Sequence, residues 1–598
     1  MILSNGDIAE VFSRIAVMLE LDGANPFRVR AYAEAARVLE SQAEPIAALA
    51  ETPGALEALP GIGKDLAAKI RDIVRTGSTQ AYEDLKAKYP PELVDLTQLQ
   101  GLGPKRVKQL FESLEIRDRA MLEAAARAGR LRELPGFGEK MEAKVLQSLS
   151  AATPATDRLL LAGVWPMAVA FAEAIQAVRG VRKVELAGSF RRRKESIGDL
   201  DLLATGGSTE AVMDAFTKHR QVIEVLGRGE TKSSVRLANG LQVDLRVVPE
   251  ESFGAALLYF TGSKAHNIEL RKIAIDKGWS LNEYGLTEGE RVVASRTEED
   301  IYRALDLEWI PPELREAWGE IDLARAGRLP HLVEERDIVA DLHMHSNRSD
   351  GRDSLEAMVR AAKAHGYAYC AITEHSKSLA MARGFDEARV RQSIDEVEAV
   401  RRAVPGIEVL HGLEVDILGD GALDLADDGL ALLDWVVVSL HSRLDQPGPE
   451  ITKRVLKALE NPYVRVMGHP TGRLIGSRKG AALDFEAIFS RAAELGVAME
   501  INAQPDRSDL SDVNARFARE KGVKIVIDTD AHSIHQLDHM RFGVLAARRA
   551  GLEAGDILNT RPVGHIREGA RRTTAPAPAT SGSPAPARSR KVRTGKPQ

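Results

Sequence analysis

The sequence predicts a multidomain α/β protein with a helical N-terminal region, a mixed middle region and a C-terminal barrel of alternating strands and helices. Its 598 residues exceed what one hydrophobic core can organise, so several domains are expected. Residues 1–150 have the apolar spacing of helices and contain a Gly-x-Gly turn three times. Beyond residue 338, seven short apolar runs follow one another, each typical of a strand buried on both faces of a parallel sheet.

The composition is that of an ordinary soluble globular protein, with 44% hydrophobic and 28% charged residues. The single cysteine, Cys370, excludes an internal disulfide and favours a reducing compartment. The start, MILSNGDIAEVF, lacks the pattern of a signal peptide, and no long uncharged apolar span occurs, so we expect a cytoplasmic protein without a membrane contact. A net charge of −6 means that any DNA contact must come from local basic patches.

The N-terminal region contains one sequence motif three times, in LPGIGKDLAAKI, LQGLGPKRVKQL and LPGFGEKMEAKV. Each Gly-x-Gly turn opens a helix, and a lysine follows closely. Glycine permits positive φ and a close approach of the backbone, and the helix N-terminus offers free N–H groups to a phosphate. One copy could be only a tight turn, whereas three copies favour sequence-independent binding of a DNA backbone. The glycines are Gly61, Gly63, Gly101, Gly103, Gly136 and Gly138.

Three aspartates of the middle region lie on strand-like stretches. Asp199 and Asp201 are two residues apart in GDLDLL, so both point to one face of a strand, and Asp244 lies in LQVDLRVV. Three carboxylates on adjacent strands suit two Mg²⁺ ions, which take oxygen ligands and leave room for phosphate oxygens. An arginine cluster at 191–193 could hold a polyphosphate. Spacing alone leaves surface charge as the alternative.

The apolar runs of the C-terminal region end in side chains that bind metals. All but two of the 14 histidines follow residue 330. A barrel gathers its strand ends on one face, and the two-residue spacings in HMH and DAH let each pair of side chains converge. Imidazole combined with carboxylate suits Zn, Mn or Fe. The nine candidate ligands are His343, His345, Asp350, His375, Glu414, His441, His469, Asp530 and His532.

Several motifs occur in the order of a known family. GSFRR and GDLD, then VDLR, YFTGS and LNEYGL, are similar to the nucleotidyltransferase core of family X DNA polymerases, the relatives of DNA polymerase beta. The three glycine turns resemble that family's helix–hairpin–helix elements. With the metal barrel, residues 1–570 resemble the bacterial members that end in a PHP (polymerase and histidinol phosphatase) domain. The resemblance implies an α+β palm with a thumb and a distorted (β/α)7 PHP barrel.

The resemblance and the composition divide the chain into seven segments. The tail, rich in Pro, Ala, Ser and basic residues, cannot bury a core, and it either attracts nucleic acid weakly or only aids solubility. The segments are a helical domain with the first helix–hairpin–helix (1–82), a helical fingers-like region with two further turns (83–150), the palm (151–255), a thumb-like nucleotide-selection subdomain (256–325), a linker (326–337), the PHP domain (338–570) and a disordered basic tail (571–598).

The resemblance also implies roles for single residues of the polymerase core. Asp199, Asp201 and Asp244 would hold the catalytic Mg²⁺ or Mn²⁺. Gln242 stands where the animal repair enzymes carry an arginine, so the control of the primer-terminus metal is expected to differ. The dNTP and the DNA would be contacted by a further set. Ser189 and Arg192 would bind the triphosphate, and Gly188 would let the backbone approach it. Tyr259 and Phe260 would pack under the sugar and discourage ribonucleotides, with Gly262 and Ser263 forming the neighbouring turn. Asn267 would contact the base edge, and Arg271 the template strand.

One lysine of the first glycine turn matches the nucleophile of a sugar-phosphate lyase. A lysine that forms a Schiff base needs a lowered pKa. Asp65, one turn before Lys69, replaces a basic residue and would favour the charged, unreactive ammonium. Lyase activity of Lys69 is therefore left open.

In PHP domains the matched residues hold three metals, so up to three Mn²⁺, Zn²⁺ or Fe²⁺ ions are implied. The first would bind His343, His345, Glu414 and Asp530; the second Glu414, His441 and His469; the third Asp350, His375 and His532. Arg473, after GHPTG, could contact phosphate or lie in solvent.

The sequence therefore predicts a DNA-directed DNA polymerase for short-gap repair synthesis, as in base excision repair, coupled to a 3′–5′ exonuclease in the PHP domain. It would act as a monomer on gapped or primed DNA with dNTPs. The 3′–5′ polarity comes from the resemblance, whereas the residues indicate only phosphoester hydrolysis. The barrel could instead be an abasic-site endonuclease, a small-molecule phosphatase or an inactive structural metal domain. A further alternative is a DNA-end scaffold whose polymerase site is inactive.

Overall fold

The computed structural model describes residues 5–40, 42, 46–99, 102–150 and 158–570. Gly101 of the second glycine turn and the basic tail 571–598 lie outside the described residues. Within the described part, none of the helices has both the length and the apolar character that a membrane span needs.

The N-terminal region is helical, as predicted. Ile8, Phe12, Leu66 and Ile70 are among the apolar side chains that form its core. Helices begin directly after the second glycine of each described turn. Gly63 and Gly103 end their turns in an extended conformation, whereas the first glycines Gly61 and Gly136 have positive φ. The helices are α1 (Asn5–Leu21), α2 (Pro26–Glu40), α3 (Ile46–Glu51), α4 (Ala55–Ala58), α5 (Lys64–Thr76), α6 (Gln80–Lys88), α7 (Pro91–Asp95), α8 (Pro104–Leu114), α9 (Arg119–Arg127) and α10 (Glu139–Ser150).

The middle region folds around a five-stranded sheet in the order β2-β4-β7-β6-β5, in which only β4 and β7 run parallel. Apolar residues of α11 and α13 cover the sheet, among them Phe171 and Phe216 with ring centroids 5.7 Å apart. The elements are β1 (Leu159–Leu160), α11 (Leu161–Gln176), β2 (Val181–Leu186), α12 (Gly188–Arg191), β3 (Ser196–Ile197), β4 (Asp199–Gly206), α13 (Thr209–Thr217), β5 (Val222–Arg228), β6 (Lys232–Leu237) and β7 (Gln242–Val247).

A smaller helical unit with a three-stranded antiparallel sheet follows. A buried ionic network ties it to the palm-like sheet, since Glu298 accepts hydrogen bonds from Arg191 Nη1 and Arg315 Nη1, each over 2.7 Å. The elements are α14 (Phe253–Thr261), α15 (Lys264–Asp276), β8 (Ser280–Asn282), β9 (Gly285–Glu288), β10 (Arg291–Ala294), α16 (Glu298–Ala304) and α17 (Glu320–Arg325).

The C-terminal region is a parallel sheet of seven strands in sequence order, as the apolar runs predict. Two runs yield only two-residue strands, so His343 and His345 follow β11 and do not lie in it. The elements are β11 (Ala340–Asp341), α18 (Leu355–Ala364), β12 (Tyr369–His375), α19 (Glu387–Ala403), β13 (Glu408–Asp416), α20 (Asp427–Leu430), β14 (Trp435–Ser439), α21 (Gly448–Leu459), β15 (Val466–Met467), α22 (Phe485–Leu495), β16 (Ala498–Asn502), α23 (Asp512–Glu520), β17 (Ile525–Asp528), α24 (Met540–Arg549) and α25 (Val563–Ala570).

The sheet nearly closes into a barrel, and two buried carboxylates complete its seam. Strands β11 and β17 meet through one parallel bridge, Met344 to Ala531, just beyond their ends. Leu342 N donates to Asp528 Oδ1 over 2.7 Å, and Thr529 N donates to Asp341 Oδ1 over 3.2 Å. The side chains thus satisfy backbone donors that a regular ladder would pair with carbonyl oxygens. The distorted (β/α)7 barrel of the prediction is confirmed.

The barrel packs directly on the middle region. The ring of Phe542 on α24 meets the edge of Trp165 on α11, with centroids 6.3 Å apart. The predicted linker lies against the barrel as well, because Val333 N donates to Leu552 O over 3.0 Å. The barrel therefore contacts the middle region through aromatic packing and the linker through a backbone hydrogen bond.

Candidate active sites

The three aspartates of the middle region meet on the parallel strand pair. In the register of β4 and β7, Asp201 lies beside Asp244, and Asp199 lies beside Gln242. Gly188 faces this group with a φ of 58°, and a Cβ atom there would overlap Asp201 Oδ2. Glycine at 188 is therefore required both by its backbone conformation and by the space that Asp201 occupies.

The carboxylates make a site that favours positive charge. Burial and the charges of Asp199 and Asp244 raise the pKa of Asp201 to about 7. Lys232 Nζ lies 3.2 Å from Asp244 Oδ2, and Gln242 Nε2 donates to Asp244 Oδ1 over 2.9 Å. Lys232 was not predicted, because its partner is set by strand pairing and not by a nearby motif. The three carboxylates supply the oxygen ligands that divalent metal ions prefer, with Lys232 as the neighbouring cation.

A proton and a metal ion compete for Asp201, which predicts a pH dependence of metal affinity. Below pH 7 the carboxyl is protonated and cannot ligate, and above pH 7 it is ionised. The Mg²⁺ concentration for half-maximal primer extension is expected to rise about tenfold from pH 8 to pH 6. Mg²⁺ titrations at fixed pH and saturating dNTP would measure it. A slower chemical step at low pH would lower the maximal rate without moving the Mg²⁺ midpoint. A Mg²⁺ midpoint that is the same at pH 6 and pH 8 would therefore contradict the prediction.

The turn that the resemblance assigns to the triphosphate lies beside these aspartates. Ser189 Oγ is buried without a hydrogen-bond partner among the described residues, which suits an atom that contacts a ligand. Arg192 Nε donates to Glu316 Oε1 over 3.0 Å, and its guanidinium also reaches Thr261 O. A Cβ atom at Gly262 would lie 3.3 Å from Arg192 Nη1, so the glycine leaves room for the arginine.

The interpretation of 191–193 as one phosphate-binding cluster is wrong for two of its members. Arg191 is held in the buried network with Glu298, 2.7 Å away. The guanidinium of Arg193 lies over the ring of Trp165, 4.9 Å from its centroid. Consecutive residues of a short helical turn point in different directions, so only Arg192 lines the cleft described below.

The thumb-side residues that the resemblance assigns to nucleotide selection lie together. The rings of Tyr259 and Phe260 are 5.0 Å apart. Arg271 lies over the Tyr259 ring at 5.3 Å, and Asn267 Nδ2 donates to Tyr259 O over 2.8 Å. The polar and cationic groups are thus anchored to the same aromatic pair.

A cleft of about 3240 Å³ runs between the N-terminal helices, the middle region and the barrel. Its lining includes Gly61, Ser189, Asp201, Tyr259 and Arg271, which places the first glycine turn and the aspartate site in one continuous space. Gly61 and Gly136 have φ of 76° and 80°, and Gly63 and Gly103 directly precede α5 and α8, so the described turns expose helix N-termini. Gly138 likewise precedes α10.

Lys69 is paired in the way that the sequence indicated. Its ammonium contacts the carboxylate of Asp65 one turn earlier on α5. Only 17% of the lysine side chain is exposed. To form a Schiff base, the nitrogen of Lys69 would have to leave this ion pair.

The nine barrel residues converge at one end of the sheet, with Glu414 at their centre. Its Oε1 lies 2.8 Å from His469 Nε2 and 3.3 Å from His441 Nε2, and its Oε2 lies 2.8 Å from His375 Nδ1. His343 Nε2 lies 3.5 Å from Glu414 Oε2. Three subgroups are close enough to share an ion: His345, Asp350, His375 and His532; His343, His345 and Asp530; and His375, Glu414 and His441.

This grouping differs in detail from the one that the resemblance implied. His345 lies between the first and third sets, since its Nε2 is 3.1 Å from Asp530 Oδ1 and its ring stacks on those of His375 and His532. His375 approaches Glu414 as well as Asp350, whose Oδ2 is 3.2 Å from His375 Nε2. Adjacent sets on a narrow barrel end share ligands, which strand spacing alone does not reveal.

The donor set of the barrel fits divalent cations. Nε2 of His343 and both ring nitrogens of His345 are buried without hydrogen-bond partners among the described residues. Burial opposes protonation of His375, but the carboxylates of Glu414 and Asp350 raise its pKa to about 10. Burial and the neighbouring His375 and His532 lower the pKa of His345 to about 3, so this ring is neutral and suited to a metal ion. Carboxylates that favour cations, beside neutral imidazoles, suit Zn, Mn or Fe.

Several outer residues that hold these ligands were missed by the sequence. Glu500 Oε1 lies 2.6 Å from His343 Nδ1, and Asp416 Oδ1 lies 2.8 Å from His441 Nδ1. Each acceptor fixes which ring nitrogen is free for a metal. Glu500 lies two residues before Asn502, and Asp416 lies two residues after Glu414. Residues two apart on a strand point to the same face, so this spacing could have indicated that Glu500 and Asp416 face the cluster. Arg507 Nε, on the loop after β16, lies 3.8 Å from Asp530 Oδ2.

Arg473 is neither solvated nor aimed at the barrel cluster. Its Nη2 pairs with Glu195 Oε2 of the middle region over 2.6 Å, and its Nε donates to Arg507 O over 2.8 Å. The arginine after GHPTG is therefore an ion pair between the barrel and the middle region.

Four protein-family models match the chain. A helix-hairpin-helix domain matches residues 4–79, a SAM-like helix-hairpin-helix tandem matches 93–151, a DNA polymerase beta thumb matches 256–316 and a PHP domain matches 341–504. These matches confirm the predicted fold class.

Three relatives show what the chain is similar to. It is 37% identical over 559 residues to the DNA polymerase/3'-5' exonuclease PolX of Bacillus subtilis (strain 168), which covers 93% of this chain and 97% of that protein. It is 26% identical over 347 residues to DNA polymerase lambda of Rattus norvegicus, over 52% of this chain and 56% of the relative. A "Probable phosphatase" of Thermoanaerobacter sp. (strain X514) is 29% identical over 242 residues, 39% of this chain and 94% of the relative. The first alignment runs along nearly the whole of both proteins.

Proposed function

The chain belongs to the family X DNA polymerases that carry a PHP domain, and on that premise we propose that it fills short gaps in DNA and trims 3′ ends with its barrel. The observation that carries the polymerase assignment is the parallel pairing of Asp201 with Asp244 beside Gly188 in the large cleft. The observation that carries the nuclease is the convergence of the barrel ligands on Glu414.

In the polymerase reaction the 3′ oxygen of the primer bonds to the α-phosphorus of a dNTP, and pyrophosphate leaves. Asp199, Asp201 and Asp244 would hold Mg²⁺ or Mn²⁺. Such ions, when bound, stabilise the charge on the attacking and leaving oxygens. Ser189 Oγ would donate to the triphosphate, and Arg192 would exchange Glu316 for a phosphate oxygen.

Selection of the nucleotide and contact with DNA are assigned to the remaining predicted residues. Tyr259 and Phe260 would lie under the sugar and exclude a 2′-hydroxyl by contact. Asn267 would reach the base edge, and Arg271 the template strand. The glycine turns would bind backbone phosphates of gapped or primed DNA through helix N-termini, which requires no base contact. Lys69 is left out of this assignment because its ammonium is held in the ion pair with Asp65.

In the barrel, water oxygen would bond to the phosphorus of the terminal phosphodiester as the bond to the 3′ oxygen breaks, releasing a nucleoside monophosphate. The nine clustered side chains would hold up to three Mn²⁺, Zn²⁺ or Fe²⁺ ions. When bound, these ions lower the pKa of water and neutralise the leaving oxygen. Glu500 and Asp416 would orient His343 and His441.

The proposal extends to the working form of the protein. We assign it to the cytoplasm as a monomer and keep the predicted segments 1–82, 83–150, 151–255, 256–325, 326–337, 338–570 and 571–598 as its units. Because the net charge is −6, the whole surface does not attract DNA, and we assign the attraction to basic residues of the cleft and of the tail.

Trimming of a primer tests the barrel assignment. With a 5′-labelled primer–template, Mn²⁺ and no dNTP, a ladder of shortened primers is expected. His345→Ala is expected to slow the trimming at least about 100-fold, because it removes a ligand that two subgroups share. Denaturing gel electrophoresis measures the ladder.

Two controls separate the alternatives. A ladder that persists in His345→Ala would come from a contaminating nuclease and overturn the exonuclease assignment. If no ladder forms, cleavage of a DNA containing one abasic site would indicate an endonuclease, and release of phosphate from p-nitrophenyl phosphate would indicate a small-molecule phosphatase. Inactivity in both assays would leave a structural metal domain.

A further inference from the structure

Arg549 is a buried arginine of the barrel whose guanidinium also reaches partners outside the barrel. It is the last residue of α24, and 5% of its side chain is exposed. Its Nη1 donates to Arg192 O over 2.8 Å and lies 3.3 Å from Glu316 Oε1. Its Nη2 pairs with Asp512 of the barrel. One guanidinium thus joins the barrel to the turn that contains Arg192.

Glu316 is shared between this arginine and the one assigned to the triphosphate. Its Oε1 accepts from Arg192 Nε over 3.0 Å and lies 3.8 Å from Lys194 Nζ. Although burial favours the neutral acid, Lys194, Arg192 and Arg549 lower the pKa of Glu316 to about 2. The carboxylate is therefore ionised, and how strongly it holds Arg192 depends on the other cations around it.

Arg549 is itself held in place. Asp512, the first residue of α23, pairs with its Nη2. Phe542, on α24 together with Arg549, packs on Trp165 of α11. A second ion pair, Arg473 with Glu195, lies close in sequence to the same turn, at 2.6 Å. The guanidinium is therefore held on the barrel side while it donates to Arg192 O, the last carbonyl group of the turn that begins at Gly188.

We propose that Arg549 of the PHP domain is a positioning residue for the polymerase reaction, which holds the triphosphate-binding turn of the palm and limits the grip of Glu316 on Arg192. The inference rests on the proposed role of Arg192 with the incoming dNTP. Its consequence is that the barrel sets the affinity of the polymerase site for dNTP, apart from any nuclease activity.

Removing the guanidinium is expected to weaken dNTP binding more than chemistry. In Arg549→Ala, Arg192 O loses a donor and Glu316 keeps only Arg192 and Lys194, so the arginine is less available to a triphosphate. We expect the KM for dNTP to rise about tenfold with kcat within about twofold, the loss typical of a hydrogen bond to a charged group. Single-nucleotide incorporation on primed DNA with the full-length protein measures both constants.

A neighbouring arginine provides a matched control. Arg548 lies on the same helix and also leaves the barrel, but its Nε donates to Glu313 over 2.9 Å and its Nη1 to Val333 O over 3.0 Å. Arg548→Ala is expected to leave the KM for dNTP unchanged. Arg549→Lys, which can reach only one acceptor at a time, is expected to give an intermediate KM.

The arms separate failure of this inference from failure of the proposed function. If Arg192→Ala leaves the KM for dNTP unchanged, the nucleotide role of Arg192 is wrong and the inference falls with it. If Arg192→Ala raises the KM but Arg549→Ala does not, or if Arg548→Ala raises it equally, only the inference is overturned. Primer trimming by the same preparation reports whether the barrel is folded. If Arg549→Ala loses trimming, Asp512→Asn is tested in its place, and we expect a smaller rise in the KM for dNTP. An unchanged KM in Asp512→Asn would overturn the inference.

Discussion

Asp201→Asn is expected to lower the rate of primer extension at least about 1000-fold while leaving primer trimming by the barrel within about twofold. The amide removes one negative oxygen from the site proposed to hold the divalent ions, and stabilisation of phosphoryl transfer by metal ions is worth several kcal/mol. Asp201 is central to the effect because its carboxylate lies beside both Asp199 and Asp244. Extension and trimming of one labelled primer, with and without dNTP, measure the two activities together.

The same variant distinguishes a lost activity from a lost fold. Without metal, ionised Asp201 opposes folding, because its pKa is raised to about 7 from 3.8. Asp201→Asn is therefore expected to raise the Tm at pH 8, and the gain should fade as the pH falls through 7 toward 4. Asp214→Asn, in the same sheet region but paired with Lys218 at 2.7 Å, serves as the control and should keep full extension. Extension that survives Asp201→Asn would rule out the assigned site.

Much of the barrel could be predicted because its signals are local. Continuous apolar runs identify buried parallel strands, and ligands directly beyond the runs identify the edge where the strand ends meet. The central position of Glu414 is a different matter. The resemblance already placed Glu414 in two of the three metal sets, whereas the residues alone offered nine candidates without an order. The pairing of β12, β13 and β14 brings His375, Glu414 and the chain leading to His441 side by side.

What escaped prediction depends on contacts between distant segments. Lys232 reaches Asp244 across an antiparallel pair, and Glu316 reaches Arg192 from 124 residues away. Arg191, Arg192 and Arg193 are chemically identical, yet they point to a buried carboxylate, the cleft and an aromatic ring. No periodic pattern distinguishes such side chains, because tertiary packing decides which partner each one meets.

The two sites differ in where they open. The aspartate site lines the large cleft, whereas none of the nine barrel side chains is among the described residues that line it. A primer end that is trimmed must therefore leave the aspartates before it reaches the barrel. Arg549 and Arg473 of the barrel line that cleft and contact Arg192 and Glu195, so the barrel meets the aspartate site through these two side chains and not through its cluster of nine.

Glu414→Gln is expected to abolish primer trimming, with a loss of at least about 1000-fold, while extension remains within about twofold. Its two carboxylate oxygens face different histidines, with His469 and His441 on Oε1 and His375 on Oε2, so no other side chain in the cluster serves as many neighbours. An amide offers one neutral oxygen and turns an N–H group toward one set of rings, which opposes a cation there. Metal content by atomic emission should fall together with trimming.

Two further glutamate variants serve as a control and as an intermediate case for this prediction. Glu408→Gln changes the same residue type at the opposite end of β13, where the side chain pairs with Arg567 at 2.5 Å, and should trim normally. Glu500→Gln changes the acceptor of His343 Nδ1 and of the His469 backbone N–H, and should lose about 10- to 100-fold, the range for residues that orient a metal ligand. The order Glu408, Glu500, Glu414 follows the distance of each carboxylate from the cluster's centre. A Glu414→Gln protein that trims as well as Glu408→Gln would show that hydrolysis does not depend on the shared carboxylate.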